Sequence, residues 1–568
     1  MLSRLMHQLF DRRGAEPAEL VARECGDPAA ALATAQAAVQ QEGGDAALQL
    51  ELGLSLRALG RRDEARAAFE HAAARYPNST LAFTYLGNLD YEAGRLDDAV
   101  HAYRSALAID AHNAAVHYNL ATTLVSLGEA AAAVESFRRS LAEAPDYADA
   151  RSSLLFALNL SDRASLEEIA AEHLDWGRRI ADPLYRGHDF ANTPEPDRRL
   201  RIGYVSADYF RHAAANFISA MLEHHDARQC EIFCYVTNLM PAASAGRYGH
   251  IWREVCALDD AQLADLIARD AIDVLVDLSG HSHGNRLLAF ARKPAPLQLT
   301  FLGYPNTTGM RAMDYRLTDA YADPPGTSES RYREKLLRLP HSTWCYRPQS
   351  DEVPDVGPLP AYRNGHVTFA SLNNVVKLNA GVISLWAELL QRAEDTRLIL
   401  ASVPPGSAQE RILRIFTGKG IDAQRIEFRD RLRHEEFLAL HNEVDIALDS
   451  YPYNGGATTC ETLWQGVPVV SLAGEAFPSR AGLSLLSSGG LPQLVAHGAG
   501  QYVDIAAALA QNRARLQQLR TSLRETMRLS PLCDAQAYTR ALEGIYRGIW
   551  REWCAGAAPG PQAPGNST

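Results

Sequence analysis

Sixteen residues near the carboxy-terminal third, Tyr451-Pro-Tyr-Asn-Gly-Gly-Ala-Thr-Thr-Cys-Glu-Thr-Leu-Trp-Gln-Gly466, are of types and in an order that can hold an anion. They follow an apolar run, Val444 to Leu448, that reads as a short buried strand ending at Asp449. Asn454, Gly455 and Gly456 permit a tight turn, because glycine accepts backbone angles that other residues avoid. Thr458 or Thr459 is a suitable N-cap for a helix running through Glu461 and Leu463. A glycine turn feeding a capped helix offers unpaired backbone N–H groups and the positive end of a helix dipole, which together make a seat for phosphate. The same pattern also serves as a plain strand-to-helix connection in any α/β domain, so the rest of the chain has to decide between the two.

The elements needed to position such a turn are present on both sides of it. From Leu200 onward, the short apolar runs RIGYVSADY, EIFCYVTN, IDVLVDLSG and LQLTFLGYP alternate with helix-like segments. After a linker rich in proline and acidic residues, RPQSDEVPDVGPLP, the alternation resumes with VTFASL, RLILAS, RIEFR, VDIALD and PVVSL. Buried strands alternating with helices predict parallel sheets covered on both faces, with ligands in the crevice at the strand carboxyl ends. Polar residues gather in the loops after these strands. They are Asp208 and His212, Gly280 to His283, and Leu302 to Thr308 in the first half, and Asn373, Asn374, Lys377, Arg433 and His434 in the second.

Upstream, residues from about 12 to 147 carry an internal period of 34. Gly53, Gly87 and Ala121 share one register, Gly60, Gly94 and Gly128 a second, Ala65, Ala99 and Ala133 a third, and Phe69, Tyr103 and Phe137 a fourth. Small residues let paired helices approach, aromatics fill the space between neighbours, and Pro77 and Pro145 close two units. The pattern is similar to the tetratricopeptide repeat, with units at 46–79, 80–113 and 114–147 and a degenerate one before them. Stacked pairs of this kind build a concave surface suited to peptides, or a rigid spacer or dimerisation element.

At 568 residues the chain exceeds what one core supports. A net charge of −12 argues against nucleic acid as a partner, no apolar run is long enough to span a membrane, and MLSRLMHQLFDRRG lacks the apolar core of a signal peptide. The eight cysteines are scattered. Cys230 and Cys234, the only close pair, are expected to be buried apolar residues, and the compartment to be cytoplasmic.

Taken in order, the repeat array and the strings GYVSADYFRH, LGYPNTTG, LNNVVKLN, LDSYPYNGGATTCETLWQG and SRAGLSLL resemble the O-linked N-acetylglucosamine transferase family, glycosyltransferase family 41, in a short bacterial form. The resemblance covers about residues 46 to 550. It implies a multidomain chain, a tetratricopeptide solenoid followed by a GT-B fold of two Rossmann-like α/β domains. The expected layout is a degenerate cap at 1–45, repeats at 46–147, and capping helices and a linker at 148–197. A first catalytic domain at 198–345 takes the acceptor and sugar side, and a linker at 346–365 leads to a UDP-sugar-binding domain at 366–553 and a disordered tail at 554–568. The implied activity is inverting, metal-independent transfer of N-acetylglucosamine from UDP-N-acetylglucosamine to serine or threonine of proteins held by the repeats. No cofactor is needed, the nucleotide sugar being a co-substrate.

The residues themselves suit that chemistry. A departing pyrophosphate needs positive charge, and this sequence contains no Asp-x-Asp pair of the kind that holds a metal for that purpose. A lysine and a helix N-terminus supply fixed charge instead: Lys377 with Asn374, and the groups around Gly456, Ala457, Thr458 and Thr459. Glu461 is a candidate acceptor for ribose hydroxyls, where the family has aspartate. Leu432, Arg433, His434 and Phe437 match the family's base-and-ribose segment, with His434 replacing a lysine and Phe437 a stacking histidine. Asp208 and His212 match its catalytic loop. The proton acceptor is His212, Asp208 through water, or the donor's own phosphate, and His212 also orients the sugar. Gly303, Tyr304 and Pro305 match the turn against the N-acetylglucosamine moiety, through backbone rather than side chain. His281 and His283 lie on a neighbouring loop and either contribute or are simple loop residues. Two other readings stand beside this one. The same fold takes another sugar or acceptor (GDP-fucose to serine or threonine, UDP-glucose to asparagine), or the chain is a repeat scaffold with a vestigial transferase. The second draws on the repeat register that holds Asn119 but Glu51 and Tyr85 in place of asparagine.

Overall fold

The computed structural model describes residues 28–42, 46–187, 190–210, 214–241, 247–348 and 354–556. They divide into two compact bodies after Ala157. The first is all helix: α1 (Pro28–Glu42), α2 (Ala46–Ala58), α3 (Arg62–Arg75), α4 (Thr80–Glu92), α5 (Leu96–Ile109), α6 (Ala114–Ser126) and α7 (Ala130–Glu143). The period of 34 has a direct steric cause. A Cβ added to Gly53 would lie 2.3 Å from the Phe69 ring, and one added to Gly87 2.6 Å from the Tyr103 ring, so glycine and aromatic of one unit interlock. Gly60, Gly94 and Gly128 turn the chain between paired helices at φ of 73°, 76° and 74°, where a side chain would be strained. In the asparagine register, Tyr85 is buried and stacks on Phe69 with centroids 5.2 Å apart. Asn119 donates Nδ2–H to Asn88 Oδ1 at 3.1 Å, and the Tyr103 hydroxyl donates to the same oxygen at 2.7 Å.

The helix α8 (Ala148–Leu160) leads into the second body, where α9 (Leu166–Trp176) precedes two parallel sheets. The first sheet contains β1 (Leu200–Ser206), β2 (Cys230–Val236), β3 (Ile251–Glu254), β4 (Val274–Asp277), β5 (Leu297–Thr300), β6 (Tyr315–Asp319) and β7 (Lys335–Leu339), in the order β3-β2-β1-β4-β5-β6-β7. The second contains β8 (Val367–Ser371), β9 (Thr396–Leu400), β10 (Ile426–Phe428), β11 (Ile446–Leu448), β12 (Val469–Leu472) and β13 (Val495–Ala496), in the order β10-β9-β8-β11-β12-β13. Both are doubly wound, as the sequence predicted, and β4, β5, β8, β11 and β12 are buried throughout. The order reverses between β1 and β4 in one sheet and between β8 and β11 in the other, so each has a crevice there for a ligand.

β3, β6, β7 and β13 escaped the pattern of apolar runs. β6 carries Arg316 and Asp319, both fully buried; the Arg316 guanidinium donates to the Tyr304 and Asn306 carbonyls, and Asp319 accepts from the Thr343 and Ser484 hydroxyls. β3 is a half-buried outer strand, β7 carries Lys335 and Arg338 at the other edge, and β13 has two residues.

The helices that bear on the site are α10 (Ala215–Leu222), α11 (His434–Leu440), α12 (Ala457–Trp464), α13 (Ala481–Ser488) and α14 (Ala535–Cys554). The final helix, α14, returns to the first lobe. Glu543 accepts from His225 Nδ1 at 2.9 Å, the Tyr546 and Tyr204 hydroxyls are 3.2 Å apart, and Trp550 Nε1–H donates to the Glu195 carbonyl at 3.0 Å. Ser484 of α13 donates its hydroxyl to the Asp319 carboxylate at 2.7 Å, a second tie between lobes. Cys230 and Cys234 are buried, and desolvation pushes the Cys230 thiol up to about 12. The residues of the expected tail beyond 556 lie outside those described.

The end of α9 meets the first lobe backbone to backbone. A Cβ on Gly177 would fall 1.8 Å from the Gly309 carbonyl oxygen, and one on Gly309 2.0 Å from that of His173. Neither side can yield by turning a rotamer. Gly177→Ala is therefore expected to destabilise this body by about 3 kcal/mol, the upper end for overpacking, read as a lowered thermal midpoint with the array's helical signal retained.

Candidate active site

The glycine turn stands where the second sheet reverses its order. β11 ends at Leu448, Asp449 follows, and α12 begins at Ala457. One expectation is corrected here: the N-cap is Gly456, at φ −109° and ψ −95°, and neither Thr458 nor Thr459. The helix starts two residues earlier because glycine bends the chain without help from a side chain. The threonines thus occupy its first turn, where the Ala457, Thr458 and Thr459 amides have no helical carbonyl behind them. Thr459 is buried and Thr458 half-buried.

Asp449 organises the turn. Its Oδ1 accepts from the amides of Gly455 at 2.7 Å and Ser450 at 2.9 Å and from Asn373 Nδ2 at 3.2 Å, while Oδ2 accepts from Ser471 Oγ at 2.6 Å. Gly455 has no room for a side chain, since a Cβ would lie 2.4 Å from Thr459 Oγ1 and 3.0 Å from Asn373 Oδ1.

From the adjacent strand, β8, comes the cation. Asn374 caps a single 3-10 turn, Val375–Lys377, by accepting from the Val376 amide at 3.1 Å. Lys377 then reaches back to donate to the Asn454 carbonyl at 2.8 Å, with its ammonium 4.7 Å from the centroid of the Tyr453 ring. Burial pulls the ammonium down to about 8, against the opposing field of Asp449. At the end of β8 and just after it, Ser371 Oγ and Asn373 Oδ1 are buried and make no hydrogen bond among the described residues. Orphaned polar atoms, helix amides without a helical acceptor and a cation poorly matched by counter-charge are what an anionic ligand would satisfy.

Further along α12, Glu461 accepts from Asn216 Nδ2 of α10 at 3.2 Å, a link across the two lobes. Burial raises its carboxyl, and the nearby His434 and the Asn216 hydrogen bond lower it. His434 and Arg433 are exposed at the start of α11, where the Arg433 guanidinium pairs with Glu436 at 2.7 Å. Leu432 and Phe437 are half-buried, with the Phe437 ring edge-on to His441 at 5.0 Å.

In the first lobe, Asp208 follows β1 and is half-buried, its amide donating to Ser206 Oγ at 2.9 Å. His212 lies outside the described residues. The Gly303–Pro305 turn is fixed from several sides. The buried Tyr304 hydroxyl donates to His173 Nε2 at 2.7 Å and accepts from Asn159 Nδ2 at 2.8 Å. His173 donates Nδ1–H to the Ile169 carbonyl at 2.6 Å, and burial lowers its pKa to about 4, so it is a neutral acceptor for tyrosine. The guanidinium of Arg316 donates to the Tyr304 carbonyl at 2.9 Å and the Asn306 carbonyl at 2.6 Å. Hence the Tyr304 side chain is committed to the interior, and only the backbone of this turn is available to a ligand. His281 is packed against Trp176, with ring centroids 4.5 Å apart, and is held neutral by burial, while His283 is exposed. Neither behaves as a site residue.

Thus Asn374, Lys377, Gly456, Ala457, Thr458 and Thr459 converge at one crevice, with Glu461 and His434 together at its outer end. Sequence reasoning did not single out Asn216, Tyr453 or the bonding of Asp449. Among the described residues, one other cluster, His225, Cys230 and Glu543, brings three ligand-type atoms together. It stands at the amino end of β2, and both His225 nitrogens are engaged, by Glu543 and by the Tyr204 hydroxyl at 2.9 Å.

Comparison with known proteins agrees with this fold. A family model described as glycosyl transferase family 41 matches residues 149–346 and 360–542, and tetratricopeptide repeat models match 46–89 and 90–163. A probable UDP-N-acetylglucosamine–peptide N-acetylglucosaminyltransferase of Solanum lycopersicum, SPINDLY, is 40% identical over 427 residues, or 73% of this chain and 45% of that protein. A probable UDP-N-acetylglucosamine–peptide N-acetylglucosaminyltransferase of Arabidopsis thaliana, SEC, is 29% identical over 381 residues, 64% of this chain and 38% of that protein. The chain therefore spans about half the length of such relatives or less. A solved structure, a mutant O-GlcNAc transferase of Thermobaculum terrenum, superposes with a TM-score of 0.83 at 36% identity, covering 91% of this chain and 99% of that one. Repeats, paired doubly wound sheets and the family match over most of the second body together make this chain a member of glycosyltransferase family 41.

Proposed function

We propose that this protein is an inverting, metal-independent glycosyltransferase. It moves N-acetylglucosamine from UDP-N-acetylglucosamine to serine or threonine hydroxyls of polypeptides presented by the repeat array. The observation that carries the reading is Lys377 on the turn that leads into α12, with the orphaned Asn373 Oδ1 at the same glycine turn. In the reaction, the acceptor oxygen forms a bond to the anomeric carbon as the bond from that carbon to the β-phosphate oxygen breaks. The electron pair leaves with UDP, where the Lys377 ammonium and the α12 amides stabilise it without rearranging. The acceptor proton passes to His212, to Asp208 through water, or to a donor phosphate oxygen. The backbone of Gly303–Pro305 seats the sugar, and Glu461 with the Leu432–Phe437 segment receives the nucleoside. Unpaired cysteines and the lack of any helix long and apolar enough to cross a membrane, both among the described residues, support a cytoplasmic assignment.

Calorimetry with UDP and UDP-N-acetylglucosamine tests the donor, and no heat at millimolar ligand from folded protein overturns it. Turnover in excess EDTA is expected to equal that without chelator, and its abolition would refute fixed-charge catalysis.

A second reading keeps the chemistry and changes the sugar nucleotide. It is favoured by the nucleoside end of the site, where Glu461, His434 and Phe437 all depart from the family pattern. A panel of radiolabelled donors separates the two, since labelling from GDP-fucose alone would select the second.

A further inference from the structure

Asn216 reaches across the cleft to the nucleotide end of the second lobe. It is 1% exposed, and its Nδ2 donates to Glu461 Oε1 at 3.2 Å. Its other polar atom, Oδ1, is buried and has no hydrogen-bond partner among the described residues, and its backbone carbonyl is already taken by the Arg347 amide at 3.1 Å. A buried carboxamide is costly when its acceptor half is unpaired, unless a ligand completes it. Around the Glu461 carboxyl stand His434 from α11, Tyr346 from the segment after β7, and Cys460 of the same helix.

We propose that Asn216 is a positioning and recognition residue for the nucleotide ribose: Nδ2 fixes the Glu461 carboxylate, and Oδ1 joins that carboxylate in accepting the vicinal 2′ and 3′ hydroxyls. The inference rests on the nucleotide site described above. Two neighbouring acceptors call for two neighbouring donors. A ribose diol has them, whereas the uracil edge offers one N–H between two carbonyls. The guanine edge also presents paired donors, so the test includes it. Because the two acceptors come from different lobes, a bound ribose joins those lobes.

The experiment is calorimetric titration of the full chain with UDP, GDP and the 2′-deoxy and 3′-deoxy forms of each. Wild type is expected to prefer the ribonucleotide by roughly tenfold over at least one deoxy form, as for a hydrogen bond to a charged group. Asn216→Ala is expected to compress that ratio below about threefold, the two changes not being additive because they remove one contact. It should also raise the donor KM more than it lowers kcat. Asn216→Asp keeps the shape but sets a second carboxylate against Glu461, and such pairs share a proton. Its UDP affinity is expected to fall at pH 8 and recover towards pH 6, and adding Glu461→Gln should restore it by reversing donor and acceptor. Thermal midpoints near wild type show that each variant folds. An unchanged ribo-to-deoxy ratio in Asn216→Ala overturns the assignment. So does a variant that loses only a preference for GDP over UDP, which points to the base edge. If wild type binds neither UDP nor GDP, the nucleotide reading itself fails, a result distinct from loss of the Asn216 assignment alone.

Discussion

Lys377→Ala is expected to lower turnover by about 10²–10³, the effect of removing one preorganised charge from a transition state, while weakening UDP far less. In the proposed mechanism Lys377 supplies its charge where charge develops, on the departing phosphate, so its loss falls on kcat. A biological effect that Lys377→Ala leaves unchanged would instead favour a scaffold whose transferase is vestigial. Arginine is not expected to rescue, because its planar fork does not fit the space between the Asn454 carbonyl and the Tyr453 ring. The pH profile gives an independent check. Burial has already brought the ammonium down to about 8, so the protonated, active form predominates below that value and is lost above it. In the free enzyme, kcat/KM should decline on the alkaline side of pH 8. A bound diphosphate favours the ammonium, so the corresponding limb in kcat should lie at higher pH. Folding responds in the opposite sense. Between about pH 8 and the ordinary lysine range the unfolded chain binds more protons at this position than the folded one, so stability at this group rises with pH. An alkaline limb that Lys377→Ala leaves in place would assign it to another group.

Asp449→Ala is expected to be the most disruptive change away from the array. It removes the acceptor for the Gly455 and Ser450 amides, Ser471 and Asn373, and leaves Lys377 without the one negative charge that supports it. Breaking a buried charge network in this way costs about 3–5 kcal/mol, and turnover should be lost with the turn's geometry. Asp449→Asn separates the two effects. It keeps the shape and part of the hydrogen bonding, so the thermal midpoint should fall less. Without the carboxylate's field the Lys377 ammonium drops further, and the alkaline limb should move to lower pH. A limb that stays in place would mean that the two groups do not interact.

The parts of this architecture that repeat or alternate were legible in the residues. The period of 34 is set by glycine against aromatic inside each unit, and both partners are visible as letters. The crevice at the second sheet's reversal was legible because a strand, a glycine turn and a helix follow one another within a short span. Partnerships distant in sequence were not. Arg316 reads as a charge that should end a strand, yet it is fully buried with its guanidinium on the Tyr304 and Asn306 carbonyls. Tyr304 sits in a loop whose polarity suggests exposure, and its hydroxyl is satisfied by residues of α8 and α9 more than a hundred positions earlier. The threonines after the glycine turn read as caps by type, but glycine had already bent the chain. Asn216 lies in an apolar helix and belongs to no motif, so only its placement against Glu461 draws notice.

The attachment of α9 to the lobe beyond it bears on how such chains diversify. The Gly303–Pro305 turn depends on Asn159 and His173, and the Gly177–Gly309 approach allows no foreign substituent. A recombination event that exchanged repeats between relatives would preserve the Gly303–Pro305 turn only if its junction fell upstream of Asn159. Lineages can thus lengthen or trade their repeats, provided the last helical hairpin is inherited together with the paired sheets.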